Sequence, residues 1–516
     1  MSLAEQVNNI LNSLSGFGPE AWLSAAFCAL LLAELLLLRS NYRQARRLLA
    51  GLSVAVVLVA GGWALLLPTR GFLFMNLLFI DNQAIFFQVV IALGAALVLL
   101  YEMAVMPSFY SGIERVSKPE GTVRGTLPME WYSLLIAMTL GLFLMTISVN
   151  LLSIYLSIEL VSICSYLLTA LTADRKASEG GIKYLLFGAI SSAIMLYGMS
   201  LLYGMTGTLD LTADEFGVEL VRQDGAVAAV AILLTLAGLL FKLSGVPFHV
   251  WTPDAYEAAP VPVAAFFSVG PKAAAVLVFM RIITALPAES PGSGGATVTI
   301  LQVPLAVLAL AGILIGNLSA LRQTDAKRLL AYSTIAHAGF LLVGVVALSQ
   351  AGFEAVLFYA GTYLFISLAA FFLIDLLAKA NGHDGDLTIS YFAGLGPRQP
   401  LLSVALTIVM LALTGLPPTV GFTAKLLSFS ALYDAYQRTG EPWLLVLFAL
   451  GLLNALISLV YYLKIPFLLF FRPASAPANQ PVHYSRSATW LALGLVLPVL
   501  ILFFKPDLLL GLITGW

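Results

Sequence analysis

The sequence predicts an all-α polytopic membrane protein of about 14 transmembrane helices, with two inverted five-helix repeats that each contain a broken helix. Three observations predict it. Of 516 residues, 60% are hydrophobic and 10% are charged, whereas soluble domains are nearer a quarter charged. Apolar runs of spanning length, roughly 20 residues, recur from one end of the chain to the other. Two of these runs are interrupted by the same Gly-aliphatic-Pro pattern.

The spans are expected near 21–38, 48–67, 83–103, 131–148, 149–171, 180–205, 226–246, 259–285, 301–319, 328–349, 354–378, 401–433, 443–471 and 488–512. Spans 4 and 5 are joined by so little chain that Asn150 and Leu151 are expected in a tight interfacial turn. The first run is followed by Arg39 and Arg43 without a small-residue cleavage site, so it reads as a retained helix and not a signal peptide. No stretch is long enough for a separate soluble domain. A net charge of −1 gives no reason to expect a nucleic-acid partner. Cys28 and Cys164 lie in apolar runs with neither paired spacing nor a nearby His cluster, and read as packing residues. No HExxH, CxxC, GxGxxG or P-loop occurs, so no metal, nucleotide or flavin is expected in this chain.

Lys and Arg in the connections set the orientation. Every second loop is basic: Arg39, Arg43, Arg46 and Arg47, then Arg115, Lys118 and Arg124, then Arg175 and Lys176. After a gap at the loop following span 7 come Arg322, Lys327 and Arg328, then Lys379 and Arg398, then Arg472 and Arg486. The intervening loops hold only Arg70, Arg222 and Arg438, and one is acidic through Asp210, Asp214, Glu215, Glu219 and Asp224. Both termini are therefore expected on the outer, periplasmic side of a bacterial inner membrane.

Around Gly245 and Pro247 the chain reads FKLSGVPFHVW, and around Gly415, Pro417 and Pro418 it reads LALTGLPPTVGFTAK. Proline lacks a backbone donor and clashes with the preceding turn, so each helix should break there. Broken backbone at membrane depth survives only where protein or a wet cavity surrounds it, and paired breaks point to a transporter built from repeats. The breaks lie 170 residues apart, about five helices. The expected units are helices 1–3 in 1–130, a first repeat of helices 4–8 in 131–285, a second of helices 9–13 in 301–471, and helix 14 in 488–516. An odd number of spans per unit makes the copies inverted.

Seven basic residues remain outside the loops: Lys183, Lys242, Lys272, Arg281, Lys425, Lys464 and Lys505. A mid-bilayer lysine costs about 2.5–3.5 kcal/mol on insertion scales and is rarely kept without a role. Arg281 and Lys505 are near outer span ends and are expected to snorkel. Lys464 is undecided, and depth alone leaves Lys183 between snorkelling and function. Lys242, Lys272 and Lys425 are too deep to snorkel, and the first and last flank the two breaks. Glu159 is the acidic counterpart, with Tyr155, Ser162 and Tyr166 on its helix face. A carboxylate moving towards or away from a buried lysine would switch that lysine between holding and releasing a proton, which arginine cannot do. His337, with Ser333 and Thr334 one turn back, is either a proton relay or a satisfied core histidine. His249, just after the first break, is either relay or structural cap.

At these residues the chain resembles the proton-translocating antiporter-like subunits of respiratory complex I. The segments FKLSGVPFHVWTPDAYEAAPVPVAAFFSVGPKAAA, LRQTDAKRLLAYSTIAHAGF and LTGLPPTVGFTAKLLSF carry the resemblance, which runs from about Glu130 to Phe471. WTPDAYEAAPVPV followed by SVGPKAAA is most similar to the N type, the counterpart of mitochondrial subunit 2. The resemblance implies proton-transfer roles for Glu159, Lys183, Lys242, Lys272 and Lys425, with passage toward His337 and release from Lys425. It also implies a hetero-oligomer with other complex I membrane-arm subunits, with NADH, FMN, iron–sulfur clusters and quinone in those partners and no cofactor here. An Mrp-type cation/proton antiporter subunit is the alternative, and a subunit of a membrane-bound hydrogenase a third. A structural scaffold would leave the mid-span lysines without a purpose.

Overall fold

A computed structural model describes residues 3–37, 42–113, 127–286, 296–381, 387–473 and 485–514. Its first helices are α1 (Leu3–Gly16), α2 (Gly18–Leu37), α3 (Tyr42–Leu66), α4 (Asn82–Ile113), α5 (Glu130–Ile147), α6 (Leu151–Thr169) and α7 (Arg175–Thr206). The middle of the chain forms α8 (Asp214–Val221), α9 (Gly225–Leu243), α10 (Trp251–Ala258), α11 (Val261–Thr284), α12 (Ala296–Leu321), α13 (Ala326–Val346) and α14 (Gln350–Ala380). Last come α15 (Pro400–Thr414), α16 (Val420–Thr439), α17 (Pro442–Phe471), α18 (Arg486–Phe504) and α19 (Asp507–Thr514). Between α3 and α4 a small antiparallel hairpin pairs β1 (Gly71–Leu73) with β2 (Leu78–Ile80), Phe72 opposite Phe79.

Among the described residues, 13 helices are long and apolar enough to cross a membrane. The expected twelfth span is not among them, because it is split into α15 and α16. Counting that pair as one broken crossing gives 13 + 1 = 14, the number expected. The short α1, α8 and α19 and the hairpin were not foreseen; each is too brief or too polar to register as a span. Arg39, Arg115, Lys118 and Arg124, on which part of the orientation rests, lie outside the described residues.

Leu151 is not in the turn between spans 4 and 5 but opens α6. Asn150 caps that helix, its side chain accepting from the Leu152 N–H at 3.0 Å, so the link is only residues 148–150. An Asn at this position satisfies one of the donors a helix start leaves free.

Both breaks begin earlier than the prolines themselves. Helix α9 stops at Leu243, and Ser244 adopts a left-handed conformation (φ 61°). The Gly245 N–H then reaches back to the Leu240 carbonyl at 2.6 Å. Helix α15 stops at Thr414, Gly415 is left-handed (φ 87°), and the Leu416 N–H reaches back to Leu411 at 3.1 Å. The two ends therefore share one stop, a left-handed residue followed by a six-to-one bond. Proline forbids helix two or three residues later, so the chain must turn out beforehand.

Helices α11, α13 and α14 are buried along almost their whole length and form the centre of the bundle. Helices α2, α7 and α17 lie at the periphery and expose apolar side chains such as Leu36, Ile190 and Phe471. That outward-facing apolar surface is what a lipid solvent favours. Close contact between α12 and α13 depends on glycine: a Cβ at Gly339 would stand 2.7 Å from the Ala309 carbonyl oxygen and 2.8 Å from the Ile313 nitrogen. Backbone atoms cannot swing aside, so Gly339→Val should push the two helices apart. The expected cost is about 1–3 kcal/mol, read as a lower thermal unfolding midpoint in detergent.

Candidate functional site

The last carbonyls of a helix have no partner inside it, and together they carry roughly half a negative charge. At both breaks a buried lysine supplies the missing donor. Lys272 of α11 donates to the carbonyl of Leu243, the final residue of α9, at 2.7 Å, and to the Thr334 carbonyl of α13 at 3.1 Å. Lys425 of α16 donates to the carbonyl of Thr414, the final residue of α15, at 2.6 Å, and to Leu413 at 3.1 Å. Lys272 and Lys425 are 2% and 6% exposed. Among the described residues neither has a carboxylate within ion-pair distance. Lys425 also stands 4.5 Å from the centre of the Phe340 ring, where the ring face favours a cation.

Lys242, near the end of α9, is equally buried, and its ammonium has no hydrogen-bond partner among the described residues. It sits among the rings of Tyr166, Tyr184 and Phe241, 5.4–5.6 Å from each centre. Glu159 is half-buried on α6 and accepts a hydrogen bond from Ser192 of α7. Ser192 was not singled out in the sequence; it stands in an apolar run beside Ser191, and nothing marks which of the two faces α6.

Lys183 is not one of the buried set. Its side chain is 41% exposed and is paired with Asp254 and Glu179, each at 2.8 Å, and not with Glu159. The reason is α10. This short helix presents Asp254 and Glu257 to cations on both sides: Lys176 and Lys183 from α7, and Arg328 from α13. Arg328 reaches Asp254 at 2.7 Å and Glu257 at 2.6 Å. Lys327 donates to the Glu257 and Ala259 carbonyls at 2.6 and 3.0 Å, closing the C-terminal end of α10. The far half of the first broken helix is thereby fastened to α7 and α13 together.

His337 has both ring nitrogens occupied: Nδ1 lies 2.7 Å from the Tyr359 hydroxyl and Nε2 3.1 Å from that of Tyr462. Tyr462 also bonds Ser333, and Tyr363 donates to Thr334 Oγ1 at 3.4 Å. A row of hydroxyls and imidazole therefore crosses α14, α13 and α17 beside the Lys272 acceptor. His249 lies between α9 and α10, its Nδ1 buried without a hydrogen-bond partner among the described residues. Arg281 does not snorkel. Its side chain is 10% exposed and is held by Asp81 at 3.0 Å and the Ser148 carbonyl at 3.1 Å, because α4 brings a carboxylate to it. Lys464 donates to the Gln323 carbonyl beyond α12 at 2.8 Å and takes no part in the central row. Lys505 is exposed, as expected for a snorkelling residue.

Comparison with known proteins identifies the architecture. The family model described as NADH:quinone oxidoreductase/Mrp antiporter, TM, matches residues 148–457. The chain belongs to that family. A relative from Sorangium cellulosum, NADH-quinone oxidoreductase subunit N 2, is 40% identical over 98% of this chain and 95% of its own length. NADH-quinone oxidoreductase subunit N from Chlorobium chlorochromatii is 36% identical over 96% of this chain and 93% of its own. Among solved structures, a chain of respiratory complex I from Thermus thermophilus superposes with a TM-score of 0.75 at 28% identity, covering 96% of this chain and 98% of that one. A chain of the Mrp complex from Dietzia sp. matches with a TM-score of 0.76 at 21% identity, covering 96% of this chain and 51% of that one, and shares the fold.

Arg328 is the only cation that bonds both carboxylates of α10 among the described ion pairs. Arg328→Ala should loosen α10, with amide exchange over 251–258 roughly tenfold faster, the equivalent of about 1.4 kcal/mol. Lys176→Ala, at a side chain 60% exposed, should change exchange little.

Proposed function

We propose that this chain is an N-type membrane-arm subunit of a proton-translocating NADH:quinone oxidoreductase, moving protons across a bacterial inner membrane through its buried lysines. The observation that carries the proposal is the pair of interrupted helices, each ending on a buried lysine that has no carboxylate partner among the described residues. Full-length relatives that bear the name NADH-quinone oxidoreductase subunit N support the coupling to quinone reduction. In this reading the two helix breaks belong to two inverted repeats, and both termini face outward. NADH, FMN, iron–sulfur clusters and quinone would reside in partner subunits of the hetero-oligomer.

The chemistry follows from the acceptors. A charged ammonium suits the free carbonyls of a helix end, while burial in a low-dielectric bundle favours the neutral amine. Lys272 and Lys425 thus stand between holding and releasing a proton, and a small change in nearby charge decides which. Protonation of Glu159, or its movement relative to Lys242, supplies such a change at one end of the row. The proton given up by Lys272 passes by the Tyr363, His337 and Tyr462 groups toward Lys425, which releases it outward. Lys183 enters through Asp254, and its pairing reports the position of α10.

An Mrp-type antiporter subunit is the second reading, favoured only by the family description and by the shared fold. Purification from the native membrane separates the two. Copurification with NADH-oxidising, iron–sulfur and quinone-site subunits is expected; their absence from a stable preparation would remove the oxidoreductase reading.

Within the assembled complex, Lys272→Met and Lys425→Met should each lower NADH-driven proton pumping by roughly tenfold or more, the scale of a lost proton carrier. Lys272→Arg should not restore it, since guanidinium keeps its proton; full pumping by the arginine variant would show that charge alone is needed. Glu159→Ala and Lys242→Ala should lower pumping and quinone reductase activity together while assembly survives, and normal rates in both would take them off the path.

A further inference from the structure

Helix α14 carries polar side chains at four-residue steps: Tyr359, Tyr363, Ser367, then Asp375 and Lys379, with Phe371 interrupting the series. Residues four apart are neighbours on a helix, and each such step also turns by about 40°, so these groups form a line that winds about 30 Å along α14 and roughly half-way round it. Its inner end meets the lysine system. Tyr359 bonds His337, Tyr363 bonds Thr334, and Ser367 shares a 2.7 Å bond with Ser268, one turn before Lys272.

The other end of the line opens on the face that carries Lys327 and Lys183. There Lys379, 27% exposed, donates to Asp375 at 2.7 Å. Asp375 is 7% exposed and also accepts from the hydroxyl of Tyr101 on α4. A carboxylate drawn this far below the surface is costly. Tyr101 is already anchored, stacked on Phe372 with ring centres 3.9 Å apart.

Between Asp375 and Ser367 the line is broken for about 12 Å. Beside Phe371, which occupies the gap, stands Tyr256 of α10, with ring centres 6.2 Å apart. The Tyr256 hydroxyl is fully buried and has no hydrogen-bond partner among the described residues. Buried hydroxyls in that condition are ordinarily served by water, and a hydroxyl with its water can pass a proton across such a gap.

We propose that Asp375 is a proton-entry carboxylate of this subunit, feeding Lys272 along α14 by way of the Tyr256 hydroxyl. The carboxylate takes a proton from solvent at the basic face and gives it inward, returning to its charged form beside Lys379. Only O–H and N–H bonds form and break. This entry is separate from Glu159 on α6, and it rests on the pumping role proposed above.

The test uses the intact complex in proteoliposomes, reading NADH-driven proton uptake beside assembly on a native gel. Asp375→Asn should lower pumping roughly tenfold, while Asp375→Glu, which keeps a titratable carboxyl, retains more than about half. Tyr256→Phe removes only a hydroxyl and should lower pumping severalfold, so it decides the matter if the asparagine variant fails to assemble. Wild-type pumping by Asp375→Asn or by Tyr256→Phe overturns the proposal. So does an equal loss in the assembled Glu and Asn variants, which would mark Asp375 as structural. Lys272→Met is the control: loss there with normal Asp375→Asn sinks only the entry, whereas normal pumping in both sinks the lysine row as well.

Discussion

Inside a bilayer there is no water to satisfy a helix end, and the arrangement of this bundle follows from that shortage. Stopping α9 at Leu243 and α15 at Thr414 leaves carbonyl groups pointing into the protein. A lysine at the same depth has the complementary difficulty, an ammonium with donors and no solvent. Lys272 and Lys425 resolve both at once. Neither the interruption nor the cation is tolerable alone, and together they form a site whose charge is held by dipoles and not by a counter-ion.

Around this centre the protein spends its ion pairs on position. Arg328 and Lys183 grip α10 from opposite sides, and Arg281 meets Asp81 in the last turn of α11. These pairs lie toward the ends of helices, where water still helps to solvate them, while the middle is left to lysine, hydroxyl and imidazole. The division matches the energetics: a paired charge near an interface is affordable and rigid, whereas a deep unpaired one is labile.

Much of the fold is legible in the sequence because membrane spans are written in composition. Fourteen crossings, the two interruptions and the depth of Lys242, Lys272 and Lys425 can all be read from apolar runs and the positions of Gly and Pro. Partners are harder. The acceptors of Lys272 and Lys425 are backbone carbonyls, which no residue type announces. The partners of Lys183 and Arg281 stay hidden for a related reason: periodicity gives the depth of a side chain in its own helix but not which helix stands opposite. Asp254 lies 71 positions from Lys183, and Asp81 lies 200 from Arg281. Asp375 escaped notice because its neighbour Lys379 makes it look like an ordinary helix-end pair; its burial comes from Tyr101, on a helix whose sequence is generic.

Lys272 touches two segments that are otherwise independent, the end of α9 and the middle of α13. While it is charged, one ammonium draws both carbonyls toward itself. Once neutral, the amine still has two N–H groups for these two oxygens, but without the positive charge the hydrogen bonds weaken. The charge on Lys272 is therefore also a latch between α9 and α13. If Lys272 carries protons as proposed, loading it tightens that seam and emptying it lets the seam relax, so the cargo would set the shape of the passage it travels.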